Sequence, residues 1–200
     1  MDKVRELSKS CICFVTNELY PLAPGGIGRM LYNFYNFNKG IGEPVKIYFL
    51  LPWVPSDIQR KNELELRDSF ESDTIHYCPD LKGSLLYENQ LFSKAEADPF
   101  SLEYKFKESY SFYIGLLELE EKIGKLDFIE FPDFGGWGYV SIEAKRAAIN
   151  FIDTQIVVRL HSTQGILYRM ERFAHDPGIW AGIFFDSERL SLKYSDLVVG

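Results

Sequence analysis

Apolar and polar segments alternate along the chain in a way that predicts strands and helices in turn. Short apolar runs rich in strand-forming residues predict β-strands at residues 11–16, 45–51, 74–78, 127–131, 155–160 and from 197 onward. The first of these runs suits a parallel strand that is covered on both faces. Apolar positions at helical spacing predict α-helices at residues 27–38, 100–124, 139–150 and 186–194. The charged residues 56–70 predict a loop with a short helix.

The order of these elements predicts the fold class. Strands that alternate with helices favour an α/β domain with a doubly wound, mostly parallel Rossmann-like sheet, helices on both faces and right-handed crossovers. The 200 residues are enough for one such domain with its own core. Residues 79–99 are polar and have no clear period, which predicts a flexible excursion over the cleft.

Three loops follow predicted strands and share one edge of the predicted sheet. They cover residues 17–28, 132–138 and 161–165. In sheets of this type, ligands bind outside the carboxyl ends of the strands. We therefore expect the unusual residues of the three loops to converge on one crevice.

Composition and charge exclude several classes of protein for this chain. Hydrophobic residues make up 46% of the chain and charged residues 26%, which is a globular composition. The net charge of −7 argues against broad electrostatic binding to nucleic acid or to an anionic membrane. No apolar run is long enough to span a bilayer, and the charged N-terminal residues lack the apolar region of a signal peptide.

The three cysteines are too few for a disulfide framework. Cys11 and Cys13 lie two residues apart in a predicted strand, so their side chains face the same side of the sheet, and Cys78 ends another predicted strand. We expect all three to be buried thiols in a reducing compartment. This expectation predicts a cytoplasmic protein.

The first loop carries the glycine-rich stretch GGIG at residues 25–28, directly before a predicted helix. Free backbone N–H groups and the positive end of the helix dipole make such a position suitable for an anion. A dinucleotide-binding G-x-G-x-x-G is excluded because the third glycine would fall at Leu31, and a P-loop is excluded because no Gly-Lys-Ser/Thr follows. A generic anion site remains, and so does a tight turn without a ligand.

Polar residues in the loops are candidates for contact with a ligand. His161 follows a buried strand and could donate a hydrogen bond or take part in proton transfer, or it could be structural. Asp133 could accept hydrogen bonds from sugar hydroxyls or cap nearby backbone as a turn aspartate. Glu18 could support the glycine loop or bind a polar ligand. The chain has no G-x-S-x-G elbow and no clustered metal ligands at useful spacing.

Four segments, taken in order along the chain, carry a family resemblance. NELYP at residues 17–21 runs into GGIG at 25–28, and FIEFPDFGG follows at 128–136. VVRLHS ends a strand at 157–162, and ERLSLKYSDLVVG covers 188–200. Together they resemble the N-terminal domain of retaining glycosyltransferases of the glycogen synthase and glycosyltransferase family 4 type. That domain opens with a strand, an E-x-x-P-like segment, a GG loop and a helix.

The resemblance implies a GT-B architecture, in which two Rossmann-like domains face a deep cleft. Residues 1–200 would form the N-terminal, acceptor-side domain, and the C-terminal donor-binding domain would be absent from this chain. The implied reaction transfers a sugar from a nucleoside-diphosphate sugar to an acceptor hydroxyl with retention, and it would need the full-length protein. The implied partners are the nucleotide sugar and a carbohydrate or small-molecule acceptor, with neither a metal nor a cofactor.

The resemblance also implies roles for individual residues. The donor diphosphate would be bound by Gly25, Gly26 and Ile27. The catalytic residue near the transferred sugar would be His161. The acceptor would be contacted by Glu18, Asp133 and Ser162.

Two other functions remain open from the residues alone. A non-catalytic Rossmann-like binding or partner-docking module is compatible with the net charge and with the 16% aromatic content. A nicotinamide-dependent oxidoreductase is a poorer fit because of the glycine spacing. A fully covered sheet end without a cleft would favour the binding module, and binding of a reduced nicotinamide would favour the oxidoreductase.

Overall fold

A computed structural model of the protein describes residues 9–82, 102–163, 166 and 178–200, with the side chains of all of these except 102–105 and 178–184. Six β-strands lie in this part of the chain: β1 Ser10–Val15, β2 Val45–Leu51, β3 Ile75–Tyr77, β4 Phe128–Pro132, β5 Gln155–Arg159 and β6 Leu197–Val199. Five α-helices lie there as well: α1 Gly26–Gly40, α2 Ser56–Leu66, α3 Leu102–Ile123, α4 Tyr139–Arg146 and α5 Gly178–Tyr194. A 3-10 turn, Phe134–Gly136, follows β4.

The six strands form one all-parallel sheet in the order β3-β2-β1-β4-β5-β6. Helices pack on both faces, so the predicted α/β class with a doubly wound, Rossmann-like sheet is confirmed. The chain builds outward from β1 to β3 and then returns to place β4 on the other side of β1. The carboxyl ends of β1 and β4 therefore flank the point at which the strand order reverses, where ligands bind in folds of this kind.

Two aspartates tie neighbouring strands together at the amino edge of the sheet. The Cys11 N–H donates to Asp127 Oδ2 at 2.8 Å, and the Ile156 N–H donates to Asp196 Oδ2 at 2.7 Å. Lys145 Nζ donates to the same Asp196 oxygen at 2.5 Å. These bonds hold β4 against β1 and β6 against β5, which helps to fix the strand register that the loops at the opposite edge depend on.

One face of the sheet is covered by α1 and α2. The side chains buried on this face come from both the strands and the helices: Phe14, Leu19, Leu31, Tyr35, Ile47, Phe49, Leu51, Leu66 and Phe70. Helical spacing puts Leu31 and Tyr35 on the buried side of α1. Phe34 is one of the apolar residues whose helical spacing predicts this helix, but it is 44% exposed even though its ring packs edge-on against Phe14. The buried side of α1 therefore does not include every apolar position of the helix.

The other face is covered by α3, α4 and α5. The buried side chains on this face include Cys13, Leu50, Cys78, Phe112, Leu116, Leu119, Ile129, Phe131, Ile142, Ile156 and Val158. Burial raises the pKa of the Cys78 thiol to about 12 and raises the pKa of Cys13 far above its ordinary value. Cys11 faces the same side as Cys13 but is only half-buried, because it lies near the start of β1. The expectation of three buried thiols is therefore correct for two.

Three helices differ from their predictions by more than the others do. Residues 56–66 form a regular helix where a loop with a short helix was expected, and only Leu66 of α2 is buried. The helix α4 ends at Arg146, four residues before the predicted end, because the chain turns into left-handed φ at Ala148 (54°). The helix α5 begins at Gly178, earlier than the predicted residue 186.

Parts of two predicted loops fall beyond the described ranges. Residues 83–99 of the predicted excursion over the cleft and residues 164–165 of the third loop lie outside the described residues. Among the residues that are described, no helix combines the length and the apolarity needed to cross a membrane.

Candidate functional site

The glycine loop ends at the N-terminus of α1, beside the carboxyl end of β1. Gly25 caps the helix with an extended backbone (φ −71°, ψ 164°), and α1 begins at Gly26. The first N–H groups of a helix have no partner inside the helix, so those of residues 26–28 point out of its end. Gly26 is exposed, and a β-carbon there would meet nothing within 4 Å. This loop leaves room for a ligand at the helix N-terminus.

The carboxylate of Glu18 already lies at this helix end. A β-carbon built on Gly25 would overlap the Glu18 carboxylate, so the carboxylate occupies the place of an N-cap side chain that glycine lacks. A negative charge there interacts favourably with the positive end of the α1 dipole. Glu18 is held by Thr16, whose Oγ1 accepts the Glu18 N–H at 3.0 Å and donates to the Glu18 carbonyl at 2.8 Å.

Gly28 brings the helix close to the loop before it. A β-carbon at Gly28 would lie 3.0 Å from the carbonyl carbon of Glu18 and 3.0 Å from the Leu19 nitrogen. The backbone of α1 therefore packs directly on the loop that leaves β1. On the outside of the same loop, the Arg29 guanidinium stacks over the Tyr20 ring at 4.6 Å, and the Tyr20-Pro21 peptide is cis. Sequence reasoning singled out neither the packing role of Gly28 nor the Arg29–Tyr20 contact.

The second loop, residues 133–138, is packed tightly against α5. Gly135 and Gly136 are buried and have left-handed φ angles of 76° and 63°, which favour glycine. A β-carbon on Gly136 would lie 2.5 Å from the β-carbon of Ser187 in α5. The Gly135 N–H donates to Oε1 of Glu188 at 2.9 Å, and Glu188 is only 2% exposed. This glycine pair therefore allows α5 to pack directly on the backbone of the second loop.

Asp133 joins the second loop to the third. Its carboxylate is buried, with 2% of the residue exposed, and Oδ1 accepts the Ser162 N–H at 3.3 Å. Its own N–H donates to the Arg159 carbonyl at 3.0 Å. The structure therefore brings Asp133 and Ser162 into direct contact. In this arrangement the carboxylate binds backbone, and a sugar hydroxyl could reach it only after a local rearrangement.

His161 and Ile27 line one crevice between α1 and the carboxyl ends of β4 and β5. The crevice lies at the reversal point of the sheet, and its other lining residues include Phe14, Met30, Glu130, Pro132 and Arg159. His161 is exposed at its rim. The enclosed part has a volume of about 10 Å³, room for roughly one water molecule. A larger ligand would therefore lie across the mouth of the crevice.

A partly buried ion pair that lines this crevice was missed by sequence reasoning. Arg159 donates from Nε to Glu130 Oε1 at 2.6 Å and from Nη2 to Glu130 Oε2 at 2.9 Å. The hydrogen bond to Glu130 raises the pKa of Arg159, against the opposing effect of burial. The signal was present in the sequence, because FIEF and VVRL each place one charged residue inside an otherwise apolar strand.

Other features of the described residues lie away from this edge. A groove of about 460 Å³ runs between α2 and residues 67–75, near the amino end of β3, and is lined by Leu64, Phe70 and Ile75 among others. Within the described ranges, no group of three or more histidine, cysteine, aspartate or glutamate side chains could hold a metal ion.

The predicted site residues lie at the carboxyl ends of β1, β4 and β5, as the parallel topology requires.

Comparisons with known proteins do not show a family for this chain. No protein family matches the chain, and no curated protein is similar to it in sequence. The chain is similar to the crystal structure of Pen from Bacillus thuringiensis, with 12% sequence identity and a TM-score of 0.35. The match covers 76% of this chain and 49% of that chain, so it spans about half of that protein. At this TM-score the likeness supports no statement about function.

Proposed function

We propose that this chain is the acceptor-side domain of a retaining glycosyltransferase. The whole protein would move a sugar from a nucleoside-diphosphate sugar to an acceptor hydroxyl, with a C-terminal domain that holds the donor. One observation carries the proposal: Ile27 of the glycine loop and His161 line the same crevice, at the reversal point of a Rossmann-like sheet. The ordered motifs of the sequence point to the same class of enzyme.

The glycine loop would receive the donor diphosphate. Gly26 is exposed and free of neighbours, and the first N–H groups of α1 point out of the helix end. As the glycosyl bond breaks, negative charge builds up on the leaving diphosphate. Fixed N–H donors and the positive end of the α1 dipole would stabilise that charge where it develops.

The Glu18 side chain would have to move before a diphosphate could bind at this helix end. Its carboxylate lies beside Gly25, and it would repel a diphosphate placed at the same helix end. The Glu18 side chain would therefore have to turn aside as the donor enters. Once turned, it could accept a hydrogen bond from an acceptor hydroxyl, which is the role that the family resemblance gives to Glu18.

His161 would act at the rim of the crevice. Its exposed imidazole could donate a hydrogen bond to a hydroxyl of the transferred sugar. Asp133 would hold the third loop in place through the Ser162 N–H, so that His161 keeps its position. Closure of a second domain over this edge would exclude water and limit hydrolysis of the donor. We place the enzyme in the cytoplasm, a reducing compartment that suits its three free cysteines.

The proposal is tested with the product of the whole gene. It is incubated with a panel of nucleoside-diphosphate sugars and candidate acceptors, and the released nucleoside diphosphate is measured, with the 200-residue chain alone as the control. We expect release by the whole product only. If the whole product released no nucleoside diphosphate and bound no donor by calorimetry, the proposal would be abandoned.

A non-catalytic binding module is the second candidate. The observations that favour it are the Glu18 carboxylate at the α1 N-terminus and the burial of Asp133, since both fill positions that a substrate would use. A module of this kind would bind a partner without turnover. Donor binding by calorimetry separates the two candidates, because the module predicts no heat with any nucleotide sugar.

A further inference from the structure

The ion pair between Glu130 and Arg159 is not explained by the stability of the sheet alone. Glu130 is buried and Arg159 is partly buried. Removing charges from water costs solvation free energy that their attraction often fails to recover, so apolar side chains of similar size could serve these strands as well. Val157, the register partner of Glu130 on β5, is an apolar residue that is 6% exposed. A charged pair on such strands, next to a crevice, points to a task other than stability.

The geometry of the pair leaves one edge of the guanidinium free. Arg159 binds Glu130 side-on, through Nε and Nη2. This pairing leaves both hydrogens of Nη1 and the outer hydrogen of Nη2 without an acceptor among the described residues. Two of those N–H bonds run parallel at the end of the guanidinium, the spacing that binds two oxygens of a phosphate or a carboxylate.

The position of Arg159 makes this free edge available to a ligand. The side chain is 28% exposed and lines the crevice together with His161 and Ile27. Glu130, whose side chain is 10% exposed, uses both oxygens on Arg159 and so fixes the plane of the guanidinium. A donor group held in a fixed orientation loses less entropy when it binds a ligand.

We infer that Arg159, oriented by Glu130, binds an oxyanion of the ligand at the mouth of this crevice. The chemical class is a phosphate or a carboxylate, bound through the Nη1–Nη2 edge. Within the proposed function this oxyanion belongs to the acceptor, because the glycine loop takes the donor, and to that extent the inference rests on the proposed function. The binding site itself needs only the crevice and the ion pair.

The test is a titration of the 200-residue chain with inorganic phosphate and, separately, with acetate, followed by nuclear magnetic resonance. We expect phosphate or acetate to shift the Arg159 Nε–Hε signal and the backbone amides of Ile27 and His161. In the Arg159→Lys variant, the affinity should fall by roughly tenfold, because lysine cannot make the paired hydrogen bonds. The matched control is Arg189→Lys, which changes an exposed arginine paired with Asp186 and should leave the affinity unchanged.

A second variant keeps the inference testable if Arg159→Lys does not fold. Glu130→Gln keeps the guanidinium but loosens its orientation, so oxyanion affinity should fall several-fold while thermal unfolding still shows a folded domain. Shifts with phosphate alone would identify a phosphate ligand, and shifts with both anions would identify an oxyanion site in general. The inference is overturned if neither anion shifts these signals, or if Arg159→Lys and Glu130→Gln both bind as tightly as the native chain. Nucleotide-sugar turnover by the whole gene product reports separately on the proposed function.

Discussion

Two Gly-Gly pairs follow the carboxyl ends of β1 and β4, and they have opposite surroundings. In the first pair, Gly26 is exposed and a β-carbon there would meet nothing within 4 Å. In the second pair, Gly135 and Gly136 are buried, with φ angles of 76° and 63°. A β-carbon on Gly136 would press on the backbone and side chain of Ser187. The first pair therefore leaves space at Gly26, although the Glu18 carboxylate lies on Gly25, whereas the second pair leaves no space for a side chain at either glycine.

This difference separates the proposed binding role of the first pair from the packing role of the second. Glycine at Gly26 is not required by the fold, so a ligand that approaches the backbone closely gives a reason for it. Glycine at Gly136 is required by the fold, because α5 lies directly on it. The same dipeptide can thus serve either purpose, and only the surrounding atoms tell which.

The largest expected effect is that of Gly136→Ala. The added methyl group would meet Ser187 at 2.5 Å and would force alanine into left-handed φ, at a combined cost of about 3 kcal/mol. For a domain of this size, the midpoint of thermal unfolding should fall by roughly 6–12 °C. The control is Gly26→Ala, which should change the midpoint by no more than about 2 °C. Equal unfolding midpoints for the two variants would contradict the claim that the fold requires glycine at Gly136 but not at Gly26.

A smaller loss is expected from Glu188→Ala. This change removes the acceptor of the Gly135 N–H and leaves a buried donor unpaired, which costs about 2 kcal/mol. Urea unfolding should show a lower midpoint with an unchanged slope. Glu188→Gln keeps an oxygen acceptor and should recover part of the loss. A Glu188→Ala protein as stable as the native one would show that this carboxylate does not hold the second loop.

A still smaller effect is expected from Gly25→Ala. The methyl group would displace the Glu18 carboxylate from the N-terminus of α1, and the lost charge–dipole interaction is worth about 0.3–1 kcal/mol. Because the carboxylate is the end of a flexible side chain, it can move away without further strain. In a Glu18→Ala background, Gly25→Ala should cost less, which a double-mutant cycle in urea would measure. Additive losses would mean that the two residues do not interact.

The smallest effect on stability is expected from His161→Ala. The imidazole is exposed at the rim of the crevice, so the unfolding midpoint should change by no more than about 2 °C. Turnover by the whole gene product should fall by about 100-fold if His161 hydrogen-bonds the transferred sugar or takes part in proton transfer. Native turnover in this variant would exclude His161 from the mechanism.

The fold followed from the sequence more completely than the site did. Buried parallel strands are nearly continuous apolar runs, so β2 begins and ends where the pattern predicts, at Val45 and Leu51. The end of α4 could not be read from apolar spacing, because it depends on left-handed backbone at Ala148 that no propensity signals. Exposure of Phe34 could not be predicted either, because it depends on how α1 lies across the sheet.

The sequence was enough to predict where the candidate residues lie in the fold, but not the contacts that they make. Parallel topology was enough to bring Ile27 and His161 to one crevice. It could not show that Asp133 binds the Ser162 N–H, because that contact joins two loops distant in sequence. It could not show that Glu18 lies on Gly25 either, because that contact depends on how the first loop folds back on itself. The pairing of Glu130 with Arg159 was within reach, since a single charge inside an apolar strand needs a partner.

The most direct test of the proposed ligand-binding role of the first loop is Gly26→Val in the whole gene product. Nucleoside-diphosphate release and the thermal unfolding midpoint should be measured on the same preparation, with Gly26→Ala beside it. A branched side chain would fill the space where the diphosphate is proposed to lie, so we predict that turnover falls by at least about 100-fold. The unfolding midpoint should stay within about 2 °C of the native value. Native turnover in Gly26→Val would contradict the account. So would a fall in its unfolding midpoint large enough to explain the lost turnover by unfolding.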